Sequence, residues 1–286
     1  ITIILLLVVL IPGIGKKISG SRRWLSLGFF NIQPSEIAKF SILLYLSILL
    51  SSKNEKLNNF YKGILPLFII TMITAIIIMA EPDISSAFLI IIFALFMFFY
   101  SKIPLIYIIV IMTLSVPFVI YVVETKDYIL KRFAFINPYI DPYGKGYHLI
   151  QSLRSFSNGG IFGLGLGNSI QKVNNLPESH NDFVFAVIVE EIGIIGGLFV
   201  IILFLIIFIR GIKISLNSNN LVYKYLSFGI TICITLQAMI HILVTMGVLP
   251  TTGLTLPFVS YGGSSLAVNM FMMGILFNIS NKSEFQ

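Results

Sequence analysis

Carboxylates set in apolar sequence are the residues that first demand a chemical account. Asp182 closes the polar lead-in "LPESHND", and the run that follows, "FVFAVIVEEIGIIGG", is interrupted by Glu190 and Glu191. On a helix, Glu190 lies roughly 12 Å further along the axis than Asp182 and about 80° round from it. An ionised carboxylate at that depth is costly unless it meets water, a cation or a partner. A carboxylate at a water–lipid boundary suits proton abstraction from an attacking hydroxyl, especially if burial raises its pKa toward working pH. Two plainer roles compete with this: Asp182 as the N-cap of the following helix, and Glu190 as an ion-pair partner that holds helices together.

Other charged residues fall into pairs. Glu36 and Lys39, in "QPSEIAKF", are three apart on one helical face and can neutralise each other, with Ser35 beside Pro34 as a helix cap. Glu81 and Asp83 flank Pro82 in "EPD", which reads as a solvated turn with Asp83 capping the next helix. Lys16, Lys17, Arg22 and Arg23 crowd "GKKISGSRR" with no acid between them. They serve either ordinary headgroup contact or an anionic ligand.

Several other segments carry weaker signals. "GLGLGNS" (163–169) has no following Lys-Ser/Thr and no βαβ context, so it is no nucleotide loop. Its glycines instead predict close backbone approach to another surface. "PTTGLTLPFVSYGGSS" (250–265) is a Pro/Gly-broken loop of the kind tolerated at membrane depth only against protein or a watery cavity. His148, His180 and His241 share no spacing and read as ordinary polar residues.

The elements that must position these groups are membrane helices. The chain is 57% hydrophobic and 11% charged, with a mean hydropathy of +0.96. A soluble domain carries roughly 25% charged residues. Lipid is therefore the solvent. The net charge of +7 is not arranged in basic blocks interleaved with aromatics, which excludes nucleic acid as a partner. The single cysteine, Cys233, excludes an intrachain disulfide and a cysteine-built metal site.

Apolar runs fall near 1–12, 36–51, 63–80, 84–100, 103–123, 183–209, 221–249 and 264–280. Residues 63–100 as one helix would measure roughly 55 Å against a hydrocarbon core of about 30 Å, so Pro82 splits them into two spans. Seven full spans result, preceded by an N-terminal stub too short to cross. The first residue, Ile1, is not Met, and the natural chain is expected to be longer. The polar stretch 124–182 is the one large loop, with short helices expected on the membrane surface.

The loops form two alternating sets. One carries Lys53, Lys56, Lys62, Lys102, Arg210, Lys213, Lys224 and Lys282 against Glu55 and Glu284. The other holds the basic 13–35 loop, the 81–83 turn, 124–182 and 250–263, with most of the acids. The bias of Lys and Arg near span ends puts the first set in the cytoplasm and 124–182 outside.

Six segments in order, "SGSRRWLSLGFFNIQPSEIAK", "EPDISSA", "RFAFINPYIDPYGKGYHLIQSL", "GGIFGLGLGNSIQK", "LPESHNDFVFAVIVEEIGIIGG" and "PTTGLTLPFVSYGGSSL", resemble the SEDS family of RodA, FtsW and SpoVE. The likeness covers essentially the whole chain and is nearer to the FtsW/SpoVE branch. It implies an all-α, polytopic membrane helix bundle of the SEDS fold. The family has ten spans with both ends cytoplasmic, of which about eight are present here. The chain, 1–286, is then a single transmembrane domain containing the large extracytoplasmic loop 124–182.

The resemblance further implies a peptidoglycan glycosyltransferase, polymerising lipid II at the outer face of the bacterial cytoplasmic membrane in cell division or cell-shape maintenance. Its partners would be lipid II, a class B penicillin-binding protein, other divisome or elongasome proteins and membrane lipid, with the division septum as its place. Asp182, in "HNDF" where the family more often has "HTDF", falls on the essential aspartate and is the expected catalytic base. Arg22, Arg23 and Lys39 are expected to stabilise the leaving diphosphate, with Glu36 and Glu190 lining the cavity. No cofactor is certain, and a divalent cation, Mg or Mn, could share that work. The alternatives are a lipid II flippase and a non-catalytic divisome scaffold.

Overall fold

The computed structural model describes residues 1–18, 21–26, 28, 31–53, 57, 59–110, 113, 136–144, 146–171 and 180–284. Helices dominate it. They are α1 (Thr2–Leu10), α2 (Pro34–Ser52), α3 (Leu65–Ala80, entered through a π-turn at Phe60–Ile64), α4 (Ile84–Tyr100), α5 (Tyr147–Gly159), α6 (Val184–Asn217), α7 (Leu221–Thr245) and α8 (Gly263–Glu284). Five helical segments are long and apolar enough to cross a membrane, and the 17-residue α4 is a shorter apolar helix. These account for six of the seven expected spans. Most of the remaining run, 103–123, lies outside the described residues.

Local sequence sets the boundaries. Pro34 occupies the first turn of α2, where its missing N–H costs nothing. Asp83 caps α4 as expected, accepting from Ser86 N–H at 3.2 Å. Ser35 does not cap α2; its hydroxyl donates to Asp83 at 3.1 Å, because the α3–α4 hairpin folds back beside the start of α2. Buried hydroxyls within the spans, Ser47, Thr71 and Thr231 among them, donate to the carbonyl four residues earlier. That local bond lets them sit in an apolar setting without a partner elsewhere.

The basic loop forms the strands found among the described residues. β1 (Gly15–Ile18), β2 (Ser21–Ser26) and β3 (Asn31–Ile32) form a three-stranded antiparallel sheet. Its register sets Lys16 opposite Trp24 and Lys17 opposite Arg22, with an irregularity between Lys16 and Lys17.

The chain divides into two compact units: residues 1–110, 207–236 and 262–286, and residues 111–206 and 237–261. In the first, α2, α4 and the start of α7 pack closely enough that a Cβ on Gly229 would meet Leu43 at 2.9 Å and the Met97 sulfur at 3.0 Å. Phe40 meets Phe271 edge-on, and Tyr100 stacks on Phe228. In the second, Phe185, Val189, Ala238, Ile242 and Leu256 form a core flanked by Phe156 and Val200.

α6 runs for 34 residues but is interrupted at Gly193, whose φ of 80° and ψ of −176° are non-helical. The break is stitched by the loop after α5. Leu164 and Gly165 N–H donate to the carbonyls of Glu190 and Glu191, and Ile194 and Ile195 N–H donate to those of Gly160 and Ile161. Glycines permit this approach. A Cβ on Gly163 would sit 2.3 Å from Glu191 O, and one on Gly193 2.1 Å from Ile161 O. Both are also at positive φ, which only glycine adopts freely.

Candidate active site

Asp182 sits two residues before α6, half-buried. The first helical turn closes on the carbonyl of Phe183, which accepts from Ala186 and Val187 N–H. The segment carrying Asp182 is tied to the loop 250–261 through backbone. Tyr261 N–H donates to His180 O at 3.0 Å, and Ser260 Oγ donates to Asn181 O at 2.7 Å. Ser260 Oγ in turn accepts from Leu256 N–H at 2.8 Å. Opposite the carboxylate stands Gly253, where a Cβ would lie 3.9 Å from Asp182 Oδ2. Any larger side chain would fill that space.

The loop facing Asp182 is itself held by two α7 residues one turn apart. Gln237 Nε2 donates to Thr255 O at 2.8 Å, and His241 Nδ1 donates to Leu254 O at 2.8 Å. Both side chains are buried. The sequence signal was present but faint: two amide- and imidazole-bearing residues four apart in an apolar helix. His241, expected to be an ordinary polar residue, is a buried anchor of the loop.

Glu190 is fully buried. Its carboxylate accepts from Ser155 Oγ (3.3 Å), Asn158 Nδ2 (3.0 Å), Ser169 Oγ (2.5 Å) and Gln171 N–H (3.4 Å). These donors come from α5 and the loop after it. The partner that depth demanded is therefore a set of neutral donors that dock α5 onto α6. Four bonds to one carboxylate satisfy its acceptor capacity, so Glu190 ties elements together in place of the cavity lining expected of it.

In the other unit, Glu36 and Lys39 form the expected ion pair at 2.7 Å, with side-chain exposures of 7% and 1%. Arg22 and Arg23 lie on β2. Arg23 reaches the α3–α4 hairpin, donating from Nε to Glu81 O at 3.2 Å and from a terminal nitrogen to Pro82 O. A guanidinium on the carbonyls just past the C-terminus of α3 complements the helix dipole. Carbonyls carry no net charge, so Arg23 keeps its positive charge for an anion.

Glu81 is the unexpected member. It is not solvated but fully buried, and neither carboxyl oxygen has a hydrogen-bond partner among the described residues. Burial pushes its pKa up to about 8, the Asp83 charge adds to the rise and the Arg23 charge opposes it. A carboxyl whose folded pKa exceeds its unfolded value stabilises the fold fully below the unfolded pKa and loses that contribution as pH rises through the folded one. Wild-type thermal stability in detergent is therefore expected to fall relative to Glu81→Gln between about pH 5 and pH 9. Parallel Tm–pH curves for the two proteins would contradict it.

Among the described residues, no three His, Cys, Asp or Glu side chains gather where they could hold a metal ion. The structure offers a divalent cation no ready-made ligand set there.

Chemically, the second unit presents a half-buried carboxylate before a side-chain-free gap. The first presents a sheet carrying Arg22 and Arg23, beside a helix start that holds the paired Glu36 and Lys39. Comparison with known proteins gives that chemistry a context. The family model described as "Cell cycle protein", covering FtsW, RodA and SpoVE, matches residues 1–285. The chain is 42% identical over 285 residues to the "Probable peptidoglycan glycosyltransferase FtsW" of Coxiella burnetii, covering 98% of this chain and 77% of that one. It is 40% identical over 281 residues to the protein of the same name from Trichlorobacter lovleyi, covering 98% and 74%. It is 38% identical over 282 residues to the stage V sporulation protein E of Bacillus subtilis, covering 98% and 77%.

Among solved structures, it matches a chain from a study of how a peptidoglycan synthase complex coordinates polymerization and crosslinking. That match has a TM-score of 0.80 and 26% identity over 99% of this chain and 79% of the other. The rod shape determining protein RodA of Thermus thermophilus shares the fold, with a TM-score of 0.68 and 23% identity over 99% and 76%.

Proposed function

Because the chain belongs to the SEDS family of FtsW, RodA and SpoVE, we propose that it is a multi-pass membrane peptidoglycan glycosyltransferase that polymerises lipid II at the outer face of the bacterial cytoplasmic membrane. The observation that carries the site assignment is Asp182, half-buried and facing the gap at Gly253.

A sugar hydroxyl of the acceptor attacks the anomeric carbon of the donor. Asp182 takes the hydroxyl proton as the new C–O bond forms. The bond between the anomeric carbon and the lipid diphosphate breaks, and the diphosphate leaves with the bonding electron pair. Arg22, Arg23 and Lys39 supply the positive charge that this leaving group needs. Gln237 and His241 act earlier in the chain of causes, by holding the loop that faces Asp182. Glu36 sets the position of Lys39.

A class B penicillin-binding protein is the proposed partner, supported by the likeness to a chain of a synthase complex that couples polymerization to crosslinking. The FtsW relatives favour the division septum as the place of action.

Purified protein with its partner, given lipid II in detergent, is expected to make glycan strands that resolve as a ladder on a gel. Detergent leaves no second leaflet, so a flippase gives no product there. Transfer of labelled lipid II across vesicles without any glycan would overturn the proposal.

A further inference from the structure

The loop that stitches the break in α6 turns its apolar side chains outward. Ile161, Phe162 and Leu166 are 60%, 81% and 78% exposed, and Leu164 is 38% exposed. Its polar atoms turn the other way. The N–H groups of Gly163, Leu164 and Gly165 and the carbonyls of Gly160 and Ile161 are all hydrogen-bonded. Asn168 Nδ2 folds back onto Leu164 O at 3.2 Å, and Ser169 is buried on Glu190. A water-facing loop has no need of that arrangement, whereas backbone entering hydrocarbon requires it.

The height of the loop follows from α6. Sixteen residues, Ile194–Ile209, pass without a charge before Arg210. At 1.5 Å each they make roughly 24 Å of helix, most of a hydrocarbon core of about 30 Å. With Arg210 at one boundary, Gly193 stands close to the other. The stitched loop lies beside it, and its side chains continue the exposed apolar surface of Ile194, Ile195 and Leu198. That continuity with a lipid-facing helix, and the absence of any charge from Gly159 to Ile170, identify the occupant as lipid and not protein.

We propose that Ile161–Leu166 is a membrane wedge, inserted among the outer-leaflet acyl chains at the level of Gly193. It fixes the height of Val184–Ile192 against the bilayer, and so the height of Asp182 at the head of that segment. The insertion itself holds whether or not Asp182 is the catalytic base, and its test reads no activity.

The test places a nitroxide at Phe162→Cys and, separately, at Leu166→Cys in the full chain, reconstituted in phosphatidylethanolamine/phosphatidylglycerol vesicles. The only native cysteine, Cys233, is fully buried and does not compete for label. Power saturation then compares accessibility to oxygen, which partitions into lipid, with accessibility to a water-soluble nickel chelate. Both labels are expected to favour oxygen, as does a reference label at Ile202 on the apolar face of α6. A reference at the exposed Asn281 is expected to favour nickel. Labels at 162 and 166 open to nickel would overturn the wedge, and so would labels closed to both agents, which would mean a protein covers the loop.

If the cysteine variants fail to fold, Phe162→Trp provides a second measurement against the one native tryptophan, Trp24. Lipids brominated near the carbonyl end of their chains are expected to quench the added emission, and aqueous iodide to spare it. The reverse pattern overturns the proposal.

Discussion

Asp182→Ala is expected to make no detectable glycan from lipid II, a fall of at least ~10²–10⁴-fold, the usual worth of a positioned general base. Asp182→Asn is expected to fail nearly as completely, since it keeps the size of the side chain and loses the basicity. Both variants should remain folded. The ties at this site run through the carbonyls of His180 and Asn181, which accept from Tyr261 and Ser260 and do not depend on the side chain at 182. Glycan length on a gel, beside Tm in detergent, separates the two effects. Wild-type polymerisation by either variant would remove Asp182 from the mechanism.

The second large effect belongs to the buried pair in α2. Lys39→Met leaves the carboxylate of Glu36, whose side chain is 7% exposed, without the cation 2.7 Å away. Removing one member of a buried pair typically costs about 3–5 kcal/mol, because the other charge stays desolvated. The double variant Glu36→Gln/Lys39→Met should recover most of that stability. It should not recover activity if Lys39 serves the leaving diphosphate. Recovery of both stability and glycan synthesis in the double variant would reduce the pair to a structural role.

Much of this architecture was legible in the sequence because it is local. Hydropathy marks the spans, Pro82 marks the α3–α4 turn, Asp83 marks a cap, and the three-residue spacing of Glu36 and Lys39 marks their pair. What escaped was non-local. Ser35 reads as a cap for its own helix, yet its partner is Asp83, 48 positions on. Glu190 reads as a cavity residue because its donors lie 19 to 35 positions back, in α5 and a glycine loop. Glu81 reads as a solvated turn residue, since nothing in "EPD" reveals how deeply the hairpin is packed.

The interruption at Gly193 was invisible for another reason. It falls in an apolar run, and a glycine in such a run is ordinary until a second segment is known to bond there. The glycines of 163–169 did announce close approach, but not to what.

A helix carries twist along its axis only while its hydrogen-bond ladder is unbroken. At Gly193 that ladder gives way to bonds made by residues 160–165. Torque from the lower part of α6 is spent at this joint, whereas a pull on the loop is delivered straight to Val184–Ile192. The segment that leads from Asp182 therefore takes its orientation from the backbone of 160–165 and the lipid around it, more than from the rest of α6.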